Sequence, residues 1–311
     1  MSDSAMPGSL DGLRSQMTAF SNLGAGDLGT SMSDEYECGW LPGRARPVLE
    51  ACLVTANTHL AGKNFMMTLA APLTAQMALP GQFVNLRLLQ ERDSVLRVPI
   101  SIYQTHPETG RIDLVYQVLG NSTNLMSRME AGEGADLVGP LGRAWTQSGV
   151  IAGVPKTALL VGGGLGMAPL ATLAEVLAAA GTKVDVIVAA ATKKLLLARR
   201  RVEAVASQVL IATDDGSEGD HGFASVPLER LLEKGRRYEY AAVCGPTPMM
   251  RACAKPLVAA GIPTEVSMER LMACGVGACL SCIVPQRSGE SLRACVDGPV
   301  MDASEVAWDE L

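Results

Sequence analysis

The chain lacks several things, and each shortage removes a class of function. There is no basic excess: 26 Lys and Arg stand against 32 Asp and Glu, giving a net charge of -6 and a pI near 5.2. Holding nucleic acid through its phosphates needs the opposite balance, so no nucleic-acid partner is expected. Only three histidines occur, His59, His106 and His221, all in turn-like polar settings with no partner at meaningful spacing. Surface positions are expected for all three, which leaves acid–base and nucleophilic hydrolysis without a constellation to carry them. No uninterrupted membrane span is present either. The uncharged run 157–174, about the length of a span, carries Gly162, Gly163, Gly164, Gly166 and Pro169 in its middle and reads as strand, loop and helix. An export signal is missing too, because Asp3 stands where such a segment would be basic and no apolar stretch follows. The expectation is a cytoplasmic protein whose thiols stay reduced.

What is present suits a folded chain of two or three units: 311 residues, 48% apolar and 19% charged. Residues 1–46 show no sustained periodicity and many Ser, Gly and Asp, and are read as an extension. From 47 to 150, short alternating runs such as "VLEACLVTAN", "GQFVNLRLL" and "RIDLVYQVL" predict an antiparallel barrel. One helix, "NSTNLMSRMEAG", is expected inside it, with Ser122 or Thr123 as cap and Gly132 as stop. From 151 to 262, strands alternate with helices, which predicts a parallel sheet. Residues 263–311 are rich in cysteine and glycine and look like a small third unit with little core of its own. The fold class is therefore multidomain: an antiparallel β-barrel, an α/β parallel-sheet domain and a small cysteine-bearing C-terminal domain.

Chemistry concentrates in four places. Of eight cysteines, three fall within nine positions, Cys274, Cys279 and Cys282, and Cys295 follows after twelve more. CxxxxCxxC followed by a distant Cys is the plant-ferredoxin spacing for a 2Fe-2S cluster. Gly275, Gly277 and Ala278 leave room for backbone N–H groups to approach the sulfurs. Structural zinc also takes four thiolates, but its usual pattern is two short CxxC-type pairs, and here there is one. A zinc-binding interaction protein is the rival from another class, and it would be colourless. The other cysteines, Cys38, Cys52, Cys244 and Cys253, lack ligand spacing and are expected mostly as buried apolar groups.

The second place is "LLVGGGLGMAPLATLAEVL", where a strand enters glycines and then a helix, aiming N–H groups and the helix dipole at a phosphate. Its residues are Gly162, Gly163, Gly164, Gly166, Met167, Ala168 and Pro169; the alternative is that the glycines serve only close strand–helix packing. The third is "CGPTPMM", beginning Cys244, Gly245 and Pro246, at a strand end where open α/β sheets bind ligands. The fourth is "RVPISIY" followed by "VYQVLGNST": Arg97 and the hydroxyls of Ser101, Ser122 and Thr123 could hold a diphosphate, and Tyr116 could lie on a ring. The acidic run "TDDGSEGDHG" lacks EF-hand order and fits a strand-end loop beside a nucleotide.

Taken in order, "PGQFVNL", "PISIY", "GPLG", "GGGLGMAPL", "TDDGS", "CGPTPMM" and the cysteine run with "CVDGPV" resemble the electron-transfer subunit of class B, NAD-linked dihydroorotate dehydrogenase, over about residues 47–302. The resemblance implies an FAD barrel, a domain for NAD(H) and a C-terminal 2Fe-2S cluster on Cys274, Cys279, Cys282 and Cys295. It carries FAD contacts to Val98, Pro99, Ile100 and Ser101, to Val115, Tyr116 and Gln117, and to Ser122 and Thr123. NAD(H) contacts carry to the Gly162–Gly166 turn with Met167, Ala168 and Pro169, and to Cys244, Gly245 and Pro246. The partner implied is an FMN-containing catalytic subunit, in a heterotetramer of two plus two, away from any membrane. One departure stands out, because the family usually has Arg directly before Pro99 and this sequence has Val98, with Arg97 expected on the opposite strand face. Related flavin and 2Fe-2S subunits of NADH-dependent ferredoxin:NADP oxidoreductase and of sulfhydrogenases resemble the same motifs and are the alternative. Thr192, Lys193 and Lys194 follow the second strand, where a 2′-phosphate would bind, so NADP(H) stays open beside NAD(H).

Overall fold

A computed structural model of the chain describes residues 47–89, 96–146 and 148–311. The extension expected over 1–46, with Cys38, lies outside them.

The first unit is a closed antiparallel barrel in the order β1-β2-β5-β4-β3-β6. Its strands are β1 (Val48–Ala61), β2 (Asn64–Ala70), β3 (Phe83–Leu88), β4 (Val98–His106), β5 (Arg111–Gln117) and β6 (Gly134–Leu141). Alternate side chains point inward, so Val54, Met67, Leu69, Leu86, Ile112, Leu114 and Leu137 fill the interior. Two short helices interrupt the strands, α1 (Pro72–Met77) and α2 (Asn121–Met126). At six residues, α1 has little intrinsic stability. It is held by the buried Glu50 of β1, whose carboxylate accepts from Leu73 N (2.8 Å), Thr74 N (2.9 Å) and the Thr74 hydroxyl (2.7 Å). Helix α2 departs from expectation in its cap, which is Gly120, while the Thr123 side chain reaches back to that residue, and the helix stops at Met126 before Gly132.

The second unit is a seven-stranded sheet with β7 (Thr157–Gly163), α3 (Met167–Ala179), β8 (Lys183–Ala190), α4 (Arg199–Glu203), β9 (Gln208–Thr213), β10 (Asp220–His221), α5 (Ser225–Glu233), β11 (Tyr240–Cys244), α6 (Thr247–Ala259), β12 (Thr264–Ser267) and, later, β15 (Val300–Asp302). Its order is β10-β9-β8-β7-β11-β12-β15, parallel except for the last pair. Helices cover both faces, so β7 and β8 are nearly continuous buried apolar runs instead of alternating ones.

The C-terminal segment, expected as a small unit with little core of its own, packs onto the sheet domain. β12 and β15 are edge strands of the nucleotide-type sheet, and only β13 (Ile283–Pro285) with β14 (Ser291–Arg293) forms its own small ribbon. Cys282, Val284, Cys295, Met301 and Trp308 share one core with Leu159, Val161 and Met250 of the sheet domain and with Phe83 and Leu141 of the barrel. Residues with too little core of their own have borrowed one.

Candidate electron-transfer site

On the barrel, alternation along β4 sorts the expected flavin residues. Val98 and Ile100 pack into the barrel interior, whereas Tyr103, on the opposite parity shared by Pro99 and Ser101, packs with the sheet domain. β5 divides in the same way: Val115 joins the core shared with the sheet domain, while the Tyr116 ring is buried in the barrel with its hydroxyl on Asn57 Oδ1 at 3.0 Å. Burial raises the Tyr116 phenol to about 12. Tyr116 therefore presents only backbone outward, which corrects the expectation that its ring lies on a ligand ring. Thr123 is corrected too. Its hydroxyl accepts from Leu119 N (2.9 Å) and Gly120 N (3.1 Å) and donates to Gly120 O (3.1 Å), which is a capping role. Arg97 has turned away, as its position one residue early implies: it pairs with Asp136 on β6 and reaches the carbonyls of Asn85 and Asp136 at 3.4 and 3.3 Å.

In the sheet domain, the glycine turn and the Cys244–Pro246 loop leave neighbouring parallel strands, since Gly162 pairs with Cys244. Chain order reverses between β7 and β11, because β8 to β10 lie on one side of β7 and β11 and β12 on the other. Ligands of open α/β sheets bind at such a reversal, outside the carboxyl ends of the strands. The glycines divide by role. A Cβ on Gly166 would sit 2.3 Å from the Cys244 carbonyl oxygen, and one on Gly163 would sit 2.3 Å from Met249 Sδ, so these two let the loops close on each other. Gly164 differs: φ is +56° and nothing lies within 4 Å of its Cβ position. That open backbone stands just before the amino end of α3, so close packing accounts for Gly163 and Gly166 but not for Gly164. Pro169 lies in the first turn of α3, and its carbonyl accepts from Trp145 Nε1 at 3.0 Å. Cys244 is a buried neutral thiol, raised to about 12 by desolvation.

The cysteine loop follows β12. Backbone N–H groups of Val276, Ala278 and Cys279 point at Cys274 Sγ from 3.4, 3.3 and 3.4 Å, and Gly277 N points at Cys295 Sγ from 3.2 Å. Positive φ values at Gly275 (+70°) and Gly277 (+81°) turn those amides inward. Cys282 and Cys295 are buried with their sulfurs 3.3 Å apart, near the roughly 3.8 Å that two thiolates at 2.3 Å from one tetrahedral metal would span. Among the described residues, no three Cys, His, Asp or Glu side chains converge as ligands of one ion. A diiron cluster asks for thiolates in pairs, and the donor set fits that demand. Burial pushes the Cys295 thiol up to about 12, whereas exposed Cys279 is held down near 6, chiefly by the Ser281 hydroxyl at 3.1 Å.

The loop also touches the barrel. Asn85 Nδ2 donates to Cys274 O at 3.2 Å, and a Cβ on Gly275 would lie 2.6 Å from that nitrogen. Asn85 is the ladder partner of Pro99. The cysteine loop thus rests one strand away from the segment assigned to the flavin. Asn85 was not singled out in sequence, and only its place inside "GQFVNL" hinted at it. His106 departs from the surface expectation: it is half-buried and bonded to Asp113 at 2.9 Å, on the β4–β5 hairpin. A hollow of about 260 Å³ lined by Asp185, Arg236 and Tyr238 opens at the amino ends of the sheet strands, the wrong edge for this fold's ligands. No helix among the described residues is long and apolar enough to cross a membrane.

Two solved structures illustrate the likeness. The ferredoxin NADP+ reductase from Neisseria gonorrhoeae with bound FAD and NADP shares the fold at 14% identity (TM-score 0.59, 71% of this chain, 99% of that one). A chain of the NADH-dependent reduced ferredoxin-NADP oxidoreductase is nearer, at 32% identity and TM-score 0.74, covering 87% of this chain and 93% of that one. The class is thus a reductase-type electron-transfer protein. Its C-terminal part narrows this further, because the family described as the iron-sulfur cluster binding domain of dihydroorotate dehydrogenase B matches residues 269–307. Two curated relatives named dihydroorotate dehydrogenase B (NAD(+)), electron transfer subunit, match nearly end to end. That of Desulforamulus reducens is 36% identical over 84% of this chain and 97% of its own, and that of Geobacillus thermodenitrificans 36% identical over 83% and 98%. The chain belongs to the family of dihydroorotate dehydrogenase B electron transfer subunits.

Proposed function

We propose that this chain is the flavo-iron-sulfur subunit through which an NAD-linked dihydroorotate dehydrogenase exchanges electrons with NAD(H), within cytoplasmic pyrimidine biosynthesis. The carrying observation is the seam between barrel and sheet: Tyr103 and Val115 of β4 and β5 share one core with the helix behind the glycine turn, while Cys282 and Cys295 share another with Phe83 and Leu141, and Asn85 bonds the cysteine loop. FAD supplies the conversion between a two-electron hydride exchange and the single electrons that a 2Fe-2S cluster takes. Pro99, Ser101 and Gln117 present side chains to it, Val98, Ile100, Val115 and Tyr116 present backbone, and Ser122 and Thr123 shape the turn at its diphosphate. The Gly162–Gly166 turn, with Met167, Ala168 and Pro169 behind it, holds the pyrophosphate of NAD(H). Cys244, Gly245 and Pro246 wall the nicotinamide. Cys274, Cys279, Cys282 and Cys295 hold the cluster, with Asn85 fixing their loop against the flavin strand.

The partner is an FMN-containing catalytic subunit, in a complex of two plus two. Affinity purification from the native cells without oxygen, followed by mass spectrometry of whatever co-purifies in equal amount, tests this. A dihydroorotate dehydrogenase catalytic subunit supports the reading. A larger ferredoxin-dependent flavoprotein subunit, the partner suggested by the 32% identity to the ferredoxin-NADP oxidoreductase chain, would replace it.

A further inference from the structure

The carboxyl edge of the sheet carries an ion cluster that the electron-transfer reading leaves unused. β8 and β9 run parallel with Ala190 paired to Thr213, so the segments leaving them face each other at the edge where the glycine turn leaves β7. From the β8 side come Lys193 and Arg199, and from the β9 side comes Glu218. Lys193 Nζ lies 3.3 Å from Glu218 Oε2, and Arg199 is bonded to the other oxygen of the same carboxylate. Glu203 takes Arg199 Nε at 2.6 Å. Backbone contacts lock the two segments together, with Lys193 N on the Ser217 hydroxyl at 2.8 Å and Glu218 N and O both bonded to Thr213 Oγ1.

Topology says what this edge faces. A dinucleotide whose pyrophosphate lies on the turn after β7 extends one half towards β11 and the other towards β8. Cys244–Pro246 occupies the first direction, which leaves the adenosine half over the end of β8. In this position a cation accepts a 2′-phosphate, and a carboxylate rejects it. Here both cations are present, yet two carboxylates already neutralise them. A dianion arriving there would have to displace Glu218 and meet its charge.

Resting on the nucleotide-binding reading above, we infer that Glu218 is a specificity-determining residue: by holding Lys193 and Arg199 it closes a latent 2′-phosphate site and keeps the domain selective for the unphosphorylated dinucleotide. Asp215, whose carboxylate accepts from Ser217 N at 3.0 Å, adds to the negative charge along the same loop. The carboxyl of Glu218 sits below the usual glutamate range, chiefly because of Arg199, so it is ionised at neutral pH.

The test is calorimetric binding of adenosine 2′,5′-bisphosphate and of 5′-AMP to the full flavin-loaded chain and to Glu218→Gln, with Glu290→Gln, an exposed and remote carboxylate, as the charge control. Expected is a tightening of adenosine 2′,5′-bisphosphate by about tenfold or more in Glu218→Gln, from two released cations, with 5′-AMP within about twofold. Lys193→Ala added to Glu218→Gln should remove most of that gain. The ratio of kcat/KM for NADPH over NADH, with ferricyanide as acceptor, should move in the same direction. Equal effects on the two nucleotides, no effect, or the same gain in Glu290→Gln overturns the inference. A chain that binds neither nucleotide and does not oxidise NADH overturns the nucleotide-binding reading instead.

Discussion

At the scale of single residues, two side chains carry distinct burdens. Cys279 is the most exposed of the four clustered cysteines, and its sulfur meets Ser281 at 3.1 Å. Cys279→Ser should leave NADH reduction of bound FAD within about threefold of the parent while transfer to the catalytic partner drops by more than about tenfold, because the cluster lies downstream of the flavin. Stopped-flow absorbance with and without the partner reads both steps, and equal loss of both would remove the cluster from that position. Glu265 bears a structural burden. It is fully buried on β12 and accepts from Thr146 N (2.7 Å), Ser148 N (3.0 Å) and the Tyr240 hydroxyl (2.5 Å), tying the barrel-to-sheet connection to the sheet. Glu265→Ala orphans three donors at about 1–3 kcal/mol each where water cannot reach them. A fall of several degrees in the thermal midpoint is expected by calorimetry.

At the scale of elements, the glycine turn separates packing from binding. Gly166→Ala drives a methyl into the Cys244 carbonyl, so it should lower the midpoint and raise KM for NADH together. Gly164→Ala meets no atom and should cost only about 1 kcal/mol of backbone strain, while still weakening NADH binding severalfold by covering the open amides. Paired melting curves and NADH titrations distinguish the two. Much at this scale was legible from the sequence. The glycine turn, the parallel strands and the four-cysteine spacing are local signals, and each stands where its residues put it. Helix α1 was not legible, because the group that caps it, Glu50, lies 23 residues upstream on another strand. β12 and β15 are hard to read for the same reason, since four and three residues beside cysteines and glycines have no period, and only pairing with distant strands, β12 with β11 and β15 with β12, makes them strands. Tyr116 was misread because alternation tells which residues share a face but not which face is the interior.

Across the whole molecule, the two larger units are clamped, which favours a fixed distance between nucleotide and flavin sites. Arg201 of α4 lies 4.4 Å over the Tyr103 ring of the barrel, donates to the Tyr103 carbonyl at 3.1 Å and forks onto Glu175 of α3. Tyr103 stands two residues after Ser101, so the clamp fixes the flavin strand to the helix behind the glycine turn. Arg201→Ala should slow flavin reduction by NADH about three- to tenfold through misplacement, with flavin content unchanged by absorbance. Arg201→Lys should restore little, since an ammonium cannot fork.

The sheet's last strand has a consequence for how the chain is made. β15 is the final strand in sequence order, yet it covers β12, whose own outer edge would otherwise be an open ladder of peptide groups. On the ribosome, then, the nucleotide domain waits with a sticky margin until Val300–Asp302 emerges, and the cysteine loop between 274 and 295 must be threaded before that margin is sealed. In order of synthesis the cysteine loop is thus complete before the sheet can close, and premature release at the C-terminal end should yield aggregates instead of a functional flavoprotein fragment.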